Sequence, residues 1–216
     1  TAVNVEAGAA QAQRLTAAGG RVEFRRMDVT SETDVDSVVP AIAADLGGID
    51  LFVNNAGIQA HGGIEGLAFR DWRRVLDVDL DGVFLGLRAA GRVMLGQGSG
   101  SIVNIASVSW ERGAPGRAPY VVSKAGVVAL TKVAAVEWSA RGVRVNAVAP
   151  AVVKTKFAAA LYEGKEDEVP AAYPLKLLCV PDDSGSVVAF LLSDDSAWVT
   201  GQTLTIDGGL TLTGGV

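Results

Sequence analysis

The fold is decided by the stretch Asp50-Leu51-Phe52-Val53-Asn54-Asn55-Ala56-Gly57, in which a short apolar run closes on polar residues and a glycine. An apolar run of this length without alternation is typical of a strand that is buried on both faces of a parallel sheet. The polar residues follow the strand directly. They therefore predict a binding or catalytic site at its carboxyl end.

The segments on either side of this strand alternate between helix and strand patterns. Helices are predicted over Ala7 to Ala18, Ser31 to about Leu46, Leu67 to Leu95, about Tyr120 to Arg141, and Pro181 to Leu192. Further strands are predicted over Arg21 to Met27, Ser101 to Ala106, Val143 to Val148 (ended by Pro150) and Thr203 to Asp207. This alternation predicts one α/β domain over residues 1–216, with a doubly wound, Rossmann-like parallel sheet.

Composition and charge exclude several classes of partner. The formal net charge of -5 provides no basic surplus for a phosphate backbone, so we expect no nucleic acid partner. The apolar runs are shorter than the ~20 residues of a membrane span, and no export signal is recognisable. Cys179 is the only cysteine, which excludes an internal disulfide and offers no metal site. We expect a soluble, cytoplasmic protein that acts on a small molecule.

Tyr120 and Lys124 are the first candidates for chemistry. They lie four residues apart on a predicted helix, so their side chains project from one face. A lysine ammonium beside a phenol favours the phenolate, which predicts a lowered pKa for Tyr120 and an acid/base role. The spacing alone also fits an ordinary helix surface. Ser107 strengthens the functional interpretation, because it ends a strand and a loop rich in glycine and proline can bring it back toward Tyr120.

Taken with Asn54 to Gly57, the residues Ser107 and Tyr120-Val121-Val122-Ser123-Lys124 resemble the short-chain dehydrogenase/reductase family. Later motifs are similar to that family as well: Asn146 to Pro150 with Thr155, Thr200-Gly201-Gln202, and Asp207-Gly208-Gly209. The resemblance covers essentially the whole chain and is greatest to 3-oxoacyl-carrier-protein reductases and to alcohol or sugar dehydrogenases. It implies an oxidoreductase that transfers a hydride between NAD or NADP and a carbonyl or secondary alcohol.

The resemblance also implies roles for individual residues. Ser107 would hydrogen-bond the substrate oxygen, Tyr120 would exchange its proton, and Lys124 would hold the nicotinamide ribose. The positions implied for the cofactor are Asp28 and Val29 at the adenine, Asn55, Ala56 and Gly57 beside the adenine ribose, Tyr120 and Lys124, and Pro150, Val153 and Thr155 at the carboxamide. Trp110 is the tryptophan that we expect to face the substrate.

Two features depart from the family pattern. The glycine-rich turn that receives the cofactor pyrophosphate does not occur in the sequence, so we expect that a preceding segment of roughly thirty or more residues belongs to the domain. Asp79 stands where the family usually has a catalytic asparagine. As a hypothesis, a carboxylate near Lys124 keeps the lysine charged and accepts a hydrogen bond from a relay water. The alternative is that it offsets the effect of the lysine on Tyr120.

Three questions stay open at the level of sequence. NAD and NADP are not distinguished, because the deciding residue would lie at or before Thr1. The substrate is not assigned. An alternative to the enzyme is a member of the same fold that has lost redox activity and serves as a binding protein. The resemblance further implies a homo-oligomer, a tetramer or dimer, with candidate contacts at Val127 to Val136 and at Leu210 to Val216.

Overall fold

The computed structural model describes residues 1–213. Its helices are α1 (Val5–Ala17), α2 (Glu32–Leu46), α3 (Phe69–Leu76), α4 (Gly82–Gln97), α5 (Ala118–Trp138), α6 (Ala159–Tyr162), α7 (Glu168–Ala171) and α8 (Pro181–Leu192). Its strands are β1 (Leu51–Asn54), β2 (Gly100–Ile105), β3 (Val143–Pro150) and β4 (Thr203–Ile206). Short 3-10 turns follow several of these elements, and a π-helical segment, Asp77–Asp81, joins α3 to α4.

The four strands form one parallel sheet in the order β1-β2-β3-β4. Successive residues of the strands face opposite sides, so Ile102 packs in the cluster with α4 and α5, whereas Val103 packs against Leu191 of α8. Helices therefore cover both faces of the central strands. This confirms the predicted single α/β domain with a parallel, Rossmann-like sheet.

Helix α5 carries Tyr120 and Lys124 and lies within the core. Pro119 stands in its first turn, where a missing backbone N–H costs nothing. Together with its 3-10 extension (Ala118–Arg141), it is the one helix among residues 1–213 that is long and apolar enough to cross a membrane by length and composition. Half of that apolar window is buried inside the protein, and the helix packs along β3. A core helix of an α/β domain passes the same test.

The prediction of a strand over Arg21 to Met27 is wrong. Only one isolated bridge forms there, between Arg26 and Ala2, and the Met27 N–H donates to the Ala2 carbonyl at 3.2 Å. A strand is defined by its hydrogen-bonded neighbours, and residues 1–213 supply no second strand beside this segment. The apolar pattern of the segment alone could not show whether a neighbouring strand is present.

The single helix predicted over Leu67 to Leu95 is also wrong in its middle. The structure replaces it with α3, the π-helical segment and α4. π-Helical turns insert an extra residue and occur frequently at functional sites. A smaller difference is that β3 continues to Pro150 instead of stopping at Val148, with Pro150 aligned to Ile206 of β4.

Candidate active site

The carboxyl ends of β1, β2 and β3 open on one cavity of about 750 Å³. Ser107, Tyr120 and Lys124, three of the four predicted catalytic residues, all line it. The same wall contains the predicted cofactor residues Asn55, Ala56, Gly57, Pro150, Val153 and Thr155. The parallel topology thus brings together segments that lie up to a hundred residues apart in the sequence.

Lys124 forms the floor of this cavity and is almost completely buried. Its ammonium Nζ donates to the carbonyl oxygen of Ile105 at 3.0 Å and lies 3.3 Å from Oδ2 of Asp79. Burial lowers the pKa of Lys124, and the charge of Asp79 opposes that effect. The lysine therefore depends on Asp79 to stay charged.

Asp79 lies in the π-helical segment and is fully buried. Its Oδ1 accepts a hydrogen bond from the Ile58 N–H at 2.7 Å. Its Oδ2 has the ion pair with Lys124 but no well-aligned hydrogen bond. Burial raises the pKa of this carboxyl, and the Lys124 charge and the Ile58 N–H partly counteract it. A Cβ on Gly57 would lie 3.2 Å from Asp79 Oδ2, so a glycine lets the backbone pass this close to the pair.

The Ser107 hydroxyl is held at the end of β2 by local partners. It donates to the Pro150 carbonyl at 3.4 Å, lies 3.2 Å from the Ser109 hydroxyl, and accepts from the Ser109 N–H at 3.3 Å. It also faces the buried Tyr120 phenol closely enough to lower the pKa of that phenol. Its direct hydrogen bonds are those to Ser109 and Pro150, and they hold the hydroxyl in the wall of the cavity that Tyr120 also lines.

The prediction that Lys124 lowers the pKa of Tyr120 is wrong for the free protein. Burial raises the pKa of this phenol, and the charge of Asp79 raises it further. Ser107 and the guanidinium of Arg117 act in the opposite direction and do not compensate. The Asp79 carboxylate, 3.3 Å from the Lys124 ammonium, offsets the effect of the lysine charge on the phenol. Tyr120 is therefore protonated near neutral pH and ready to donate a proton.

The remaining predicted cofactor residues lie in an adjoining cavity of about 850 Å³. Asp28 and Val29 line it, and it shares Asn55, Ala56 and Gly57 with the first cavity. Oδ1 of Asp28 already accepts hydrogen bonds from the N–H and the hydroxyl of Thr30, at 2.9 and 2.8 Å. The structure thus divides the predicted cofactor residues between two cavities joined by one exposed turn.

The residues of both cavities fit the two ends of a nicotinamide dinucleotide. Ile105, Val148 and Pro150 provide an apolar wall for a flat ring in the first cavity. Nearby, the Thr155 hydroxyl donates to the Val153 carbonyl at 3.3 Å, and both groups are suited to a carboxamide. A glycine-rich turn that could receive the pyrophosphate does not occur within residues 1–213.

Asn54 has a supporting position beneath this turn. Its amide nitrogen donates to Asn104 Oδ1 at 2.8 Å, and Asn104 in turn donates to the Thr131 hydroxyl at 2.9 Å. All three side chains are buried. A buried chain of satisfied hydrogen bonds joins β1, β2 and α5 and fixes where the polar turn Asn55 to Gly57 lies.

Sequence reasoning missed Arg117 and misplaced Trp110. Arg117 lines the first cavity, and its Cζ lies 5.8 Å from the ring centroid of Tyr120. Its spacing of three residues from Tyr120 was the available signal. Trp110 packs against the main core cluster and is not part of the cavity wall, because the 3-10 turn after Ser107 directs its indole inward. The expectation that Trp110 faces the substrate is therefore wrong.

The fold and the clustered serine, tyrosine and lysine define a class of protein, the α/β oxidoreductases that use a nicotinamide cofactor. A family model described as Enoyl-(Acyl carrier protein) reductase matches residues 1–211. The chain belongs to the short-chain dehydrogenase/reductase family, as its sequence motifs predicted.

Curated relatives of this chain include both polyol and hydroxyacid dehydrogenases. D-threitol dehydrogenase of Mycolicibacterium smegmatis is 37% identical over 214 residues, which is 98% of this chain and 82% of the relative. Cis-4-hydroxycyclohexanecarboxylate dehydrogenase of Sinomonas cyclohexanicum is 39% identical over 201 residues, 93% and 81% of the two chains. The 3-oxoacyl-[acyl-carrier-protein] reductase FabG of Thermotoga maritima is 38% identical over 193 residues, 89% and 78%.

Solved structures agree with the fold. A gluconate 5-dehydrogenase from Burkholderia cenocepacia, in complex with NADP and tartrate, superposes with a TM-score of 0.92 at 34% identity over 97% of this chain and 83% of that chain. An NAD+-bound xylitol dehydrogenase superposes with a TM-score of 0.89 at 32% identity over 96% and 86%. This family membership makes the chain an oxidoreductase with a nicotinamide cofactor, without distinguishing NAD from NADP.

Proposed function

We propose that this protein catalyses reversible hydride transfer between NAD(P)(H) and a carbonyl or secondary alcohol, with Tyr120 as the acid/base group. The observation that carries the proposal is the meeting of Ser107, Tyr120 and Lys124 in one cavity, beside the turn Asn55 to Gly57. When bound there, the nicotinamide cofactor supplies or receives the hydride. The residues of the chain bind and orient the substrate and move its proton.

In the direction of reduction, Tyr120 donates the proton. Its raised pKa keeps the phenol protonated, and its position near the Ser107 hydroxyl lets both groups hydrogen-bond one substrate oxygen. Two donors aimed at an oxygen stabilise the negative charge that develops on it as the carbonyl is reduced. In the direction of oxidation, Tyr120 must first lose its proton, so alcohol oxidation is expected to speed up as the pH rises.

Asp79 and Lys124 would support this proton exchange from below. The ion pair fixes the ammonium beneath the Tyr120 ring, with Nζ 5.5 Å from the ring centroid. A lysine held in this way can bind ribose hydroxyls with its remaining N–H donors. The carboxylate can accept a hydrogen bond from a water of a proton relay, since Oδ2 lacks a hydrogen-bond partner.

The Tyr120→Phe variant tests the proposal. It removes the phenol oxygen while keeping the ring, so turnover should fall by about 10²- to 10⁴-fold. Binding of NADH or NADPH, followed by fluorescence titration, should be unaffected. Retained turnover would show that another group carries the proton. A wild-type protein that binds neither cofactor would instead favour the binding-protein alternative.

The outer face of α5 supports a homo-oligomer, as do the neighbouring residues of α4. Val122, Val133, Val136 and Phe84 are exposed there, although Val127, inside the predicted contact range, is buried. Leu210 lines the first cavity instead of facing outward, and residues 214–216 of the second predicted contact lie outside the described part of the chain. A tetramer or dimer in the cytoplasm remains our proposal, to be checked by light scattering of the purified protein.

A further inference from the structure

Arg117 is a cation at the mouth of the substrate cavity that the proposed chemistry does not use. It immediately precedes α5, is half-buried, and places its guanidinium over the ring of Tyr120. The Arg117 charge lowers the pKa of the phenol, so the two groups are electrostatically coupled. A ligand that reaches Tyr120 therefore also meets this guanidinium.

The charged wall of the cavity is entirely basic within the described residues. Arg117 and Lys124 are its charged members, and no carboxylate lines it. The charge of Lys124 is balanced by Asp79 at 3.3 Å. Arg117 has no acidic partner among residues 1–213, and its Nη2 donates to the neutral amide oxygen of Gln59. The cavity thus retains one uncompensated positive charge.

Asp207 is an acid whose charge reaches the cavity, and its carboxylate already has hydrogen-bond partners. Burial raises the pKa of the cavity residue Tyr173, and the negative charge of Asp207 raises it further. The Asp207 carboxylate accepts hydrogen bonds from the Gly209 N–H at 2.9 Å and the Thr211 N–H at 2.7 Å. It is therefore held by its own turn and leaves Arg117 free for a ligand.

The rest of the wall is largely apolar. Its apolar members include Val108, Val152, Phe157, Leu161 and Val188. A guanidinium has five N–H donors in a planar fork that matches a carboxylate, and the bond to Gln59 occupies only part of it. One half-buried guanidinium beside a largely apolar wall suits a ligand with an apolar body and a single anionic end.

We propose that Arg117 binds a carboxylate of the substrate, so that the substrate class is a hydroxy- or oxocarboxylate with a largely apolar body. This inference rests on the proposed function, because it assigns the substrate of the same site.

Calorimetric binding of a non-reacting pair of ligands tests the carboxylate site without turnover. Cyclohexanecarboxylate and its neutral isostere cyclohexanecarboxamide have no hydroxyl to oxidise, so both can be titrated into the protein with NAD+ or NADP+ present. The wild type should bind the acid about 10- to 100-fold more tightly than the amide. Arg117→Gln should remove this preference, and Arg117→Lys should retain part of it.

The matched control is Arg74→Gln, which removes the same charge from an exposed position on α3. It should leave the preference unchanged. Equal affinity for acid and amide in the wild type, or a preference that survives in folded Arg117→Gln, would overturn the carboxylate site. If Arg117→Gln weakens NADPH binding and not acid binding, the guanidinium serves a cofactor phosphate and the proposal is wrong.

Turnover separates this inference from the proposed function. Cis-4-hydroxycyclohexanecarboxylate and its primary amide share a ring and a hydroxyl, and kcat/KM should favour the acid in the wild type, mainly through KM. In Arg117→Gln the two values should converge. Oxidation of both compounds at equal efficiency would overturn the carboxylate site while leaving the dehydrogenase intact. Oxidation of neither would count against the proposed function, and the calorimetric titration would still decide the anion site.

Discussion

Two cations flank the ring of Tyr120 at similar distances, and their surroundings differ. At the cavity floor, Lys124 Nζ lies 5.5 Å from the ring centroid and is paired with the buried Asp79. At the cavity mouth, Arg117 Cζ lies 5.8 Å away, and its Nη2 donates to the neutral amide of Gln59. The ion pair at the floor holds groups in place, and the pKa of the phenol is raised by burial and by the charge of Asp79. Because Arg117 at the mouth has no acidic partner among residues 1–213, the mouth attracts an anion.

Removing the cation from the floor should have the largest effect. Lys124→Met leaves the Asp79 carboxylate buried without its cationic partner, which costs about 3–5 kcal/mol of unfolding free energy and should abolish turnover. Thermal and urea unfolding measure the stability. The double variant Lys124→Met/Asp79→Asn should recover much of it, because no uncompensated charge remains. A single variant as stable as the double one would contradict the pairing.

The pH dependence of the Lys124→Met variant sharpens the same point. Burial raises the folded-state pKa of Asp79, and loss of Lys124 removes the charge that opposed this. The folded state then binds a proton more tightly than the unfolded state. The contribution of the Asp79 carboxyl to the free energy of unfolding should be fully present below the ordinary aspartate pKa of about 3.9. It should be lost as the pH rises from there through the folded-state pKa. The double variant should lack this slope.

A smaller effect is expected when only the acid of the floor is removed. Asp79→Asn takes away a charge that raises the pKa of Tyr120, so the rising limb of alcohol oxidation against pH should move to lower pH. Asp81→Asn is the matched control, since Asp81 lies in the same π-helical segment but is exposed beside Arg73. An unchanged limb in Asp79→Asn would show that Asp79 has no part in the proton exchange.

The contrast between floor and mouth also separates what the sequence predicts from what it does not. The short apolar run of β2 predicted that Ser107 follows a strand, and the spacing of four placed Tyr120 and Lys124 on one helix face. These are local patterns. The spacing could not show how far the Asp79 carboxylate offsets the lysine charge, because that depends on a π-helical turn packed between α3, α4 and α5.

The mouth illustrates a second limit. Arg117 stands three residues before Tyr120, and that spacing is visible in the sequence. Its proposed role depends on the lack of an acidic partner among residues 1–213, which only the tertiary structure shows. The strand predicted over Arg21 to Met27 was wrong for a similar reason. The segment has a strand pattern, but residues 1–213 provide no neighbouring strand to pair with it. Side chains whose role depends on several distant segments were the ones that sequence reasoning missed or misplaced.

Direct titration of the Tyr120 phenol tests the account of the floor. The chain has three tyrosines, so NMR of protein labelled with carbon-13 at the tyrosine ring gives few signals, and Tyr120→Phe assigns the one of interest. The account predicts that Tyr120 in the free wild type titrates above the ordinary tyrosine pKa of about 10, and lower in Asp79→Asn. A wild-type pKa below the ordinary value would contradict it, because the lysine charge would then be acting on the phenol.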